Sequence, residues 1–221
     1  MTEEIWFSLR LSLQVALLAT FFIVILGVAA GYLLARKKFP GRELLDILFT
    51  LPLVLPPTVT GYYLIILFGR NGWLGKSLYT WTGWSVMFTW YAAVLASFVV
   101  ALPLMVRTTR AAIESVDKNL ILASYTLGHS ELETAWRVVL PLARRGIIAG
   151  AVLSFARAMG EFGATLMLAG NIPGKTNTLP LTIYTLAGSG DWPQAQGVVL
   201  LLTATSAAFL VLANRFGRKV W

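Results

Sequence analysis

The feature that most constrains this chain is a series of apolar stretches, each about as long as a helix that crosses a lipid bilayer. About 20 mostly apolar residues cover the hydrocarbon core, whereas transmembrane barrel strands show as alternating segments of about 10 residues. The sequence therefore predicts an all-α, polytopic membrane helix bundle with about five transmembrane helices, in one transmembrane domain over residues 1–221. The apolar stretches lie near residues 9–35, 44–69, 84–106, 146–169 and 195–213.

Composition and charge agree with a membrane protein. The mean hydropathy is +0.72 and 57% of the residues are hydrophobic, which excludes a soluble domain of ordinary type. Most of the 18 Lys and Arg residues lie in 36–42, in 107–145 and near the C-terminus, ending with Lys219. By the positive-inside rule we expect a multi-pass protein of the cytoplasmic (inner) membrane, with the N-terminus outside and the C-terminus in the cytoplasm. The net charge of +8 then needs no nucleic acid partner.

The start of the chain, MTEEIWFSLR, lacks the basic n-region of a signal peptide, so we expect no cleavage there. A different constraint comes from three prolines in LPLVLPP, namely Pro52, Pro56 and Pro57. Proline removes a backbone donor and disfavours helix at the preceding residue, which predicts a kink or break in this span. Irregular backbone at membrane depth is tolerated where it faces protein or a wet cavity. The prolines are therefore candidates for the translocation path, with a simple packing kink as the alternative.

A charged pair lies near the middle of the 146–169 stretch. Arg157 and Glu161 are four residues apart, which places both on one helix face, and charged residues at that depth are candidates for function. We expect a gate or a part of the path here, or else a mutually neutralising pair that fixes helix packing. Ala156, Gly160 and Ala164 form a separate row of small residues that predicts close helix packing.

Catalytic and metal-binding patterns are missing from the sequence. There is no cysteine, and His129 is the only histidine, which is expected to be solvated in a loop. AGNIPGKT at 169–176 satisfies the relaxed phosphate-loop pattern, but it follows a membrane helix instead of a strand, and Pro180 comes soon after it. We therefore expect no nucleotide site, and the chain is not expected to be an enzyme by itself.

The most elaborately patterned polar stretch is LASYTLGHSELETAWRVVLP at 122–141. With the residues before it, it forms a segment at about 115–141 that predicts two short helices. Asp117 is a plausible N-cap for a helix over 118–127, and Gly128 supplies a left-handed residue that ends this helix.

The second helix of the segment begins with Ser130 and Glu133, which have the spacing of a capping box, and it is expected to stop at Pro141. Such a helix could lie at the membrane interface with its tryptophan inward, or it could dock on another protein. One amphipathic face is expected to hold Leu132, Ala135, Trp136 and Val139.

The spacing of the segment resembles the EAA loop of permease subunits of binding-protein-dependent ABC importers. In that motif E-A-A-x-x-x-G is followed by nine residues and I-x-L-P, and here LAS at 122–124 is followed by Gly128 and by VVLP at 138–141. Leu122 and Ser124 depart from the Glu and the second Ala of the motif. The resemblance implies that a separate cytoplasmic ATPase subunit docks here and that its ATP-driven closure moves the membrane helices. The expected coupling residues are Leu122, Ala123, Ser124, Gly128, Glu131, Trp136, Leu140 and Pro141.

Three further stretches are similar to the molybdate/tungstate permeases of that superfamily, and the similarity covers essentially the whole chain. They are LPLVLPPTVTGYYLIILFGRNGWLG at 51–75, ALPLMVRTTRAAIESVD at 101–117 and FARAMGEFGATLMLAGNIPGKTNTLPLTIYTL at 155–186. The resemblance implies a homodimer with two ATPase subunits and an oxyanion-binding protein docked outside, on the loops near 70–83 and 170–194. Arg70, Lys76 and Lys175 in those loops could guide an acidic partner or a dianion. ATP and Mg²⁺ would be bound by the ATPase partner, and this chain would hold no cofactor.

Two alternatives stay open at this point. Permeases for sulfate or another oxyanion are close relatives of the molybdate/tungstate type, so the resemblance defines the mechanism more sharply than the substrate. The residues alone also allow an ATP-independent channel or ion-coupled carrier that uses Arg157 and Glu161 as its relay. The expected residues of the path or gate are Pro52, Pro56, Pro57, Arg157 and Glu161.

Overall fold

The computed structural model describes residues 2–218, with side chains described over 3–211. This part of the chain consists of helices and their connections, and no strand occurs in it, so the predicted all-α class is confirmed. Lys219 is one of the basic residues from which a cytoplasmic C-terminus is predicted, and it lies outside the described residues. The helices are α1 (Thr2–Arg36), α2 (Arg42–Val54), α3 (Pro57–Phe68), α4 (Gly75–Thr82), α5 (Trp90–Glu114), α6 (Lys118–Thr126), α7 (Glu131–Thr134), α8 (Leu140–Met159), α9 (Gly163–Ala169), α10 (Leu179–Gly188) and α11 (Trp192–Arg218), with a π turn over Ala135–Val139 between α7 and α8.

Within the described residues, four stretches of helix are long and apolar enough to cross a bilayer, where the sequence predicts about five. The predicted span at 44–69 is not one helix, because it consists of α2 and α3, which are 13 and 12 residues long. The four continuous stretches are Glu3–Arg36, Trp90–Glu114, Glu131–Met159 and Trp192–Val211.

The break between α2 and α3 lies where the prolines predict it. Leu55 and Pro56 have extended backbone, with ψ of 144° and 137°, and Pro57 is the first residue of α3. Proline is favoured at that position because its missing N–H would have no partner in the helix. Pro52 lies inside α2 and does not end it. The prediction of a kink or break in this span is therefore confirmed.

The predicted span at 146–169 differs from the structure at both ends. It begins earlier, because α7, the π turn and α8 form one continuous helix from Glu131 to Met159. It also ends earlier, because residues 160–162 are not helical and α9 adds only Gly163–Ala169. A second membrane segment is thus broken, in addition to the one that contains the prolines.

The bundle is centred on α1 and α5, which lie side by side and run in the same direction. A Cβ added at Gly27 would lie 2.5 Å from the Met105 side chain, and one at Gly31 would lie 2.8 Å from Thr109. Small residues permit such close approach between membrane helices. The other face of α5 packs on α8, so that one continuous apolar core joins α1, α5 and α8.

The bundle has two chemically different ends. The basic end contains the last turn of α1 with Arg36, the first turn of α2 with Arg42, and the 115–141 segment, which packs on Tyr32 and Ala35 of α1. The opposite end contains the start of α1, the loops around α4 and the loop at 170–178, which Ser8 of α1 contacts through Asn177.

Candidate coupling site and membrane path

The turn between α6 and α7 is built from local capping contacts. The Asp117 carboxylate caps α6 by accepting a hydrogen bond of 2.8 Å from the backbone N–H two residues later. Gly128 has a φ of 84°, and the N–H groups of Gly128 and His129 donate to the carbonyls of Tyr125 and Ser124. These are the bonds of a helix end with a left-handed residue. The predicted N-cap and the predicted glycine turn are both confirmed.

The second helix of the segment begins as predicted and ends differently. The Glu133 N–H donates to Ser130 Oγ at 3.3 Å, and the Ser130 N–H donates to Glu133 Oε2 at 2.8 Å, so the capping box is present. The predicted stop at Pro141 is wrong, because the π turn carries the helix past this residue into α8. The Leu140 N–H donates to the carbonyl five residues before it. This wider turn leaves room for the proline ring, which in a regular α-helix clashes with the carbonyl four residues earlier.

The single amphipathic face predicted for this helix is also wrong, because its apolar residues divide into two sets. Ala135 and Val139 are buried, at 6% and 0% exposure, and they hold the helix on the bundle. Leu132 and Trp136 are 70% and 67% exposed. The exposed pair is therefore available for contact with another surface.

The neighbouring turn adds two more exposed apolar side chains, since Leu122 and Leu127 are 59% and 77% exposed. Large apolar side chains gathered on a short, capped segment are typical of an interaction site. Of the eight residues that the sequence predicts for coupling, Ser124 is buried and Glu131 and Leu140 are half-buried. Those that are exposed are Leu122, Ala123, Gly128, Trp136 and Pro141.

A buried polar network, which the sequence did not predict, joins the two helices of the segment. Ser124, which replaces the second alanine of the motif, is 4% exposed. Its Oγ lies 3.1 Å from His129 Nδ1 and 2.9 Å from Thr134 Oγ1. Thr134 is fully buried, and His129 is half-buried, so the histidine that was expected to be solvated is only partly so. The departure of Ser124 from the motif is the one sequence feature that points to this network.

The end of α1 is attached to the 115–141 segment by two polar contacts. Lys37 Nζ lies 2.5 Å from Glu131 Oε2, and Arg36 Nη2 donates to the Tyr125 hydroxyl at 3.3 Å. The hydrogen bond to Glu131 raises the pKa of Lys37 above its ordinary value, because a neighbouring carboxylate stabilises the charged form of the lysine. These partners are 94 and 89 residues apart, and no local pattern in the sequence predicts their contact.

The structure brings Arg157 and Glu161 together at the second break. Arg157 Nη1 lies 2.8 Å from Glu161 Oε2, and Glu161 Oε1 accepts a hydrogen bond of 2.8 Å from the Ala164 N–H at the start of α9. The Glu161 side chain is 1% exposed and that of Arg157 is 30% exposed. Because Oε2 receives no aligned hydrogen bond, the contact with Arg157 is an ion pair held by proximity. The two residues do not share a regular helix face, since α8 ends at Met159.

The two breaks lie against each other. A Cβ added at Gly163, the first residue of α9, would lie 3.0 Å from Pro57 Cβ and 3.2 Å from Thr58 N at the start of α3. A Cβ at Gly61 would lie 2.9 Å from Ala164 Cα. The short helices α3 and α9 therefore pack backbone to backbone, and the proline break is adjacent to the break that holds the charged pair.

The predicted row of small residues does not form one packing face. Ala164 packs against α3, but Gly160 is exposed, and a Cβ there would meet only the Ala156 carbonyl, at 3.7 Å. The helix ends between these residues, so the spacing of four no longer places them in line. Among the remaining path candidates, Pro56 is exposed and Pro52 is half-buried.

The phosphate-loop pattern at 169–176 has a structural explanation. Thr176 is fully buried, and its hydroxyl accepts a hydrogen bond from the Ile172 N–H at 3.0 Å and donates to the Gly170 carbonyl at 3.3 Å. Gly170 and Gly174 have φ of 70° and 69°, and Lys175 is exposed. The loop follows helix α9, so the strand that a phosphate loop needs is not there. These residues fold the loop around its own threonine.

Four membrane-length helices, two broken membrane segments and a capped segment at the basic end define a polytopic helical protein of the permease class. Residues 13–220 match the family described as "Binding-protein-dependent transport system inner membrane component". The chain belongs to this family, which confirms the resemblance found in the sequence. It is thus an inner membrane component of a transport system and not an enzyme in its own right.

Curated relatives cover most of the chain. It is 47% identical over 186 residues to the molybdenum transport system permease protein ModB of Escherichia coli K12, which covers 84% of this chain and 81% of that protein. It is 47% identical over 214 residues to ModB of Haemophilus influenzae, covering 96% and 93% of the two chains. The sulfate transport system permease protein CysT of Salmonella typhimurium is 36% identical over 215 residues, covering 96% of this chain and 77% of that protein.

Solved structures share the fold at low sequence identity. The inward-facing MetNI methionine ABC transporter in its native crystal form superposes with a TM-score of 0.77, at 20% identity, covering all of this chain and 96% of the other. A bacterial ABC transporter for the acidic polysaccharide alginate gives a TM-score of 0.79 at 14% identity, covering 99% and 80%. The bundle is thus the fold of ABC importer permeases.

Proposed function

We propose that this chain is the membrane permease subunit of an ABC importer for molybdate or tungstate. The observation that supports this substrate is the 47% identity to two permeases named for molybdenum transport, over most of the length of the compared chains. Membership in a binding-protein-dependent family favours this function over an ATP-independent channel or carrier.

The 115–141 segment is proposed as the docking site of a separate ATPase subunit. Two features support this assignment. The segment is rigid, because Asp117, the Ser130–Glu133 capping box and the Ser124 network fix its shape. It also has four large apolar side chains that are more than half exposed at the basic end, and such a group is suited to burial in a cleft of a partner. These side chains are Leu122, Leu127, Leu132 and Trp136.

The other partners follow from the family. A binding-protein-dependent transport system needs an extracytoplasmic binding protein, here one for oxyanions, and we place it on the loops of the opposite end. The complex is proposed to contain two copies of this permease and two ATPase subunits, with the N-terminus outside and the C-terminus in the cytoplasm. ATP and Mg²⁺ would be held by the ATPase, and this chain would supply no cofactor site.

The translocation path is proposed to run beside the two breaks. Extended backbone at Leu55 and Pro56 and the nonhelical residues 160–162 leave backbone groups that a membrane protein tolerates only in protein contact or beside a wet cavity. Arg157, which is partly exposed beside them, could attract an oxyanion. Glu161 would shorten the time that the oxyanion stays bound, because its carboxylate competes for the Arg157 guanidinium. Conduction requires binding that is weak enough for release.

Sulfate is the second candidate substrate, since a sulfate permease is 36% identical over 96% of this chain. Both substrates are tetrahedral dianions, so a shared path is chemically reasonable. Two differences favour molybdate or tungstate: the sulfate permease has the lower identity, and only 77% of its own length is matched, against 81% and 93% for the two ModB proteins.

The test uses proteoliposomes that contain this chain and its ATPase subunit, with the binding protein loaded in turn with molybdate, tungstate or sulfate. We expect ATP hydrolysis and anion uptake to be stimulated by molybdate and tungstate. Stimulation by sulfate alone would retain the mechanism and correct the substrate. Anion flux without ATP, with no ATPase subunit copurifying, would refute the proposed function.

A further inference from the structure

We propose that α1 carries the movement of the docked ATPase across the membrane to the outer loop at 170–178, and that Lys37 is the positioning residue that fastens α1 to the 115–141 segment. This inference rests on the proposed docking of an ATPase subunit at that segment. The helix that transmits the movement is then α1, which lies outside the EAA-like motif and the sequence next to it.

At the basic end, α1 is attached to both halves of the segment. Lys37 contacts Glu131 at the start of α7, and Arg36 contacts Tyr125 in α6. Tyr32 and Ala35 in the last turns of α1 also pack on the apolar cluster that contains Val139. A displacement of the segment therefore pulls on the end of α1 through a charged contact, a hydrogen bond and apolar packing.

At the opposite end, α1 is bonded to the outer loop and the start of α10. Ser12 Oγ accepts a hydrogen bond of 2.8 Å from the Leu179 N–H, and Ser8 Oγ donates to Asn177 Oδ1 at 2.9 Å. The Thr182 hydroxyl donates to Ser8 Oγ at 2.9 Å. Ser8 and Ser12 are 2% and 3% exposed. In a buried setting such hydrogen bonds are costly to break, so the two elements are expected to move together.

Between these ends α1 is uninterrupted. It has 35 residues and no proline, which corresponds to a rod of about 50 Å. Its two glycines, Gly27 and Gly31, are locked in close contact with α5. A shift applied at one end of such a helix is transmitted along its axis, because no hinge is available to absorb it.

The alternative route leaves the segment through the continuous helix Glu131–Met159, which ends at the break of residues 160–162. Helix breaks absorb motion by changes in a few backbone angles. This helix can therefore open the path beside Arg157 without moving the outer loop. Helix α5 also leads away from the segment, which begins directly after Glu114, but it contains Pro103. By contrast, α1 has neither a proline nor a break and is hydrogen-bonded to the 170–178 loop through Ser8.

The test measures ATP hydrolysis, uptake and copurifying ATPase for Lys37→Glu in the reconstituted complex. We expect the ratio of uptake to hydrolysis to fall by roughly two- to fivefold, the range for loss of an exposed ion pair, while the ATPase still copurifies. The double variant Lys37→Glu with Glu131→Lys should restore the ratio. The matched control is Lys38→Glu, which makes the same charge change at the exposed neighbouring residue and should leave the ratio unchanged.

The other end of α1 gives a second, independent variant. Ser12→Ala removes the acceptor of the Leu179 N–H and should lower the same ratio, again with the ATPase retained. Thr20→Val is its control, because the Thr20 hydroxyl in the same helix has no hydrogen-bond partner among the described residues. Suppose that the complex with the unchanged chain couples hydrolysis to uptake. A normal ratio of uptake to hydrolysis in both Lys37→Glu and Ser12→Ala then overturns the inference about α1 and leaves the proposed function intact. If the unchanged chain binds no ATPase, the proposed function fails, and the inference about α1 fails with it.

Discussion

Replacing Gly128 by valine tests the docking proposal through the backbone alone. Gly128 has a φ of 84°, and a Cβ added there would have no neighbour within 4 Å among the described residues. A side chain therefore has room, but it makes this left-handed conformation unfavourable. The strain is relieved by changing the angle between α6 and α7, which is the shape that a docked ATPase would recognise.

The size of the effect follows from this geometry. A side chain with a Cβ costs about 1–2 kcal/mol in the left-handed region, and a β-branched residue is the least tolerated there. That cost changes the population of the native turn by a factor of roughly 5–30. Asparagine adopts the left-handed region readily, so Gly128→Asn should retain most of the native turn. The expected order of coupling is glycine, then asparagine, then valine.

The chain offers a matched control at Gly190, which follows α10. Its φ is 80°, and no atom of the described part of the chain lies within 4 Å of an added Cβ. The N–H groups of Gly190 and Asp191 donate to the carbonyls of Ala187 and Leu186. This repeats the bonding of Gly128 and His129, outside the 115–141 segment. Gly190→Val thus carries the same backbone strain away from the proposed docking site.

The assay is the amount of ATPase subunit that copurifies with each variant, followed by uptake per ATP hydrolysed in proteoliposomes. For Gly128→Val we expect one or both to fall by about 5–30-fold, with Gly128→Asn close to the unchanged protein. Gly190→Val should retain the ATPase in full. The reasoning is refuted if valine at position 128 leaves both quantities unchanged, or if Gly190→Val loses the ATPase to the same extent.

Three further predictions concern the bundle and the outer loop. Gly61→Ala should overpack α3 against α9, where the added Cβ meets backbone at 2.9 Å, and lower stability by about 1–3 kcal/mol. The control is Gly188→Ala, whose added Cβ meets no atom of the described residues within 4 Å and which should not lower the melting temperature in detergent. Equal melting temperatures for the two variants would contradict the packing. Arg157→Gln should leave the buried Glu161 carboxylate without its partner, at a cost of about 3–5 kcal/mol, which is measured as a lower yield of monodisperse protein. If the pair is structural, adding Glu161→Gln should restore that yield. A stable single variant would show that the ion pair is dispensable. Lys175→Ala should leave ATP binding by the whole complex unchanged in a filter-binding assay, and lost binding would reinstate the phosphate-loop interpretation.

The sequence predicted the parts of the molecule that local contacts decide. Asp117, Gly128 and the Ser130–Glu133 pair act within a few residues of themselves, and each has the predicted role as a cap or a turn. The break at Pro56 is local as well, because the constraint belongs to the proline ring and to the residue before it. Family membership could also be predicted, since the spacing of the EAA-like motif and the longer similar stretches lie in the sequence itself.

What the sequence did not show depends on contacts between distant residues. The Lys37–Glu131 contact joins residues that are 94 positions apart in the sequence. Nothing in the sequence next to either residue distinguishes it from an ordinary charged residue at the surface. The π turn was missed for a related reason. A proline usually ends a helix, whereas here the π turn leaves room for the proline ring, and the burial of Ala135 and Val139 against the bundle favours a helix that continues past Pro141.

The break before α9 combines both kinds of cause. Residues 160–162 lie in an apolar stretch without proline, so periodicity alone predicts a continuous helix there. Two contacts favour the break instead: the Glu161 carboxylate accepts the Ala164 N–H, and Gly163 packs so closely on Pro57 that an added Cβ would lie 3.0 Å from the Pro57 Cβ. The proline break can be predicted from its own residues, and the second break then supplies the surface that packs on it. Because backbone freed at membrane depth must contact protein or water, finding the first break in the sequence gives a physical reason to look for a glycine-containing partner in another span.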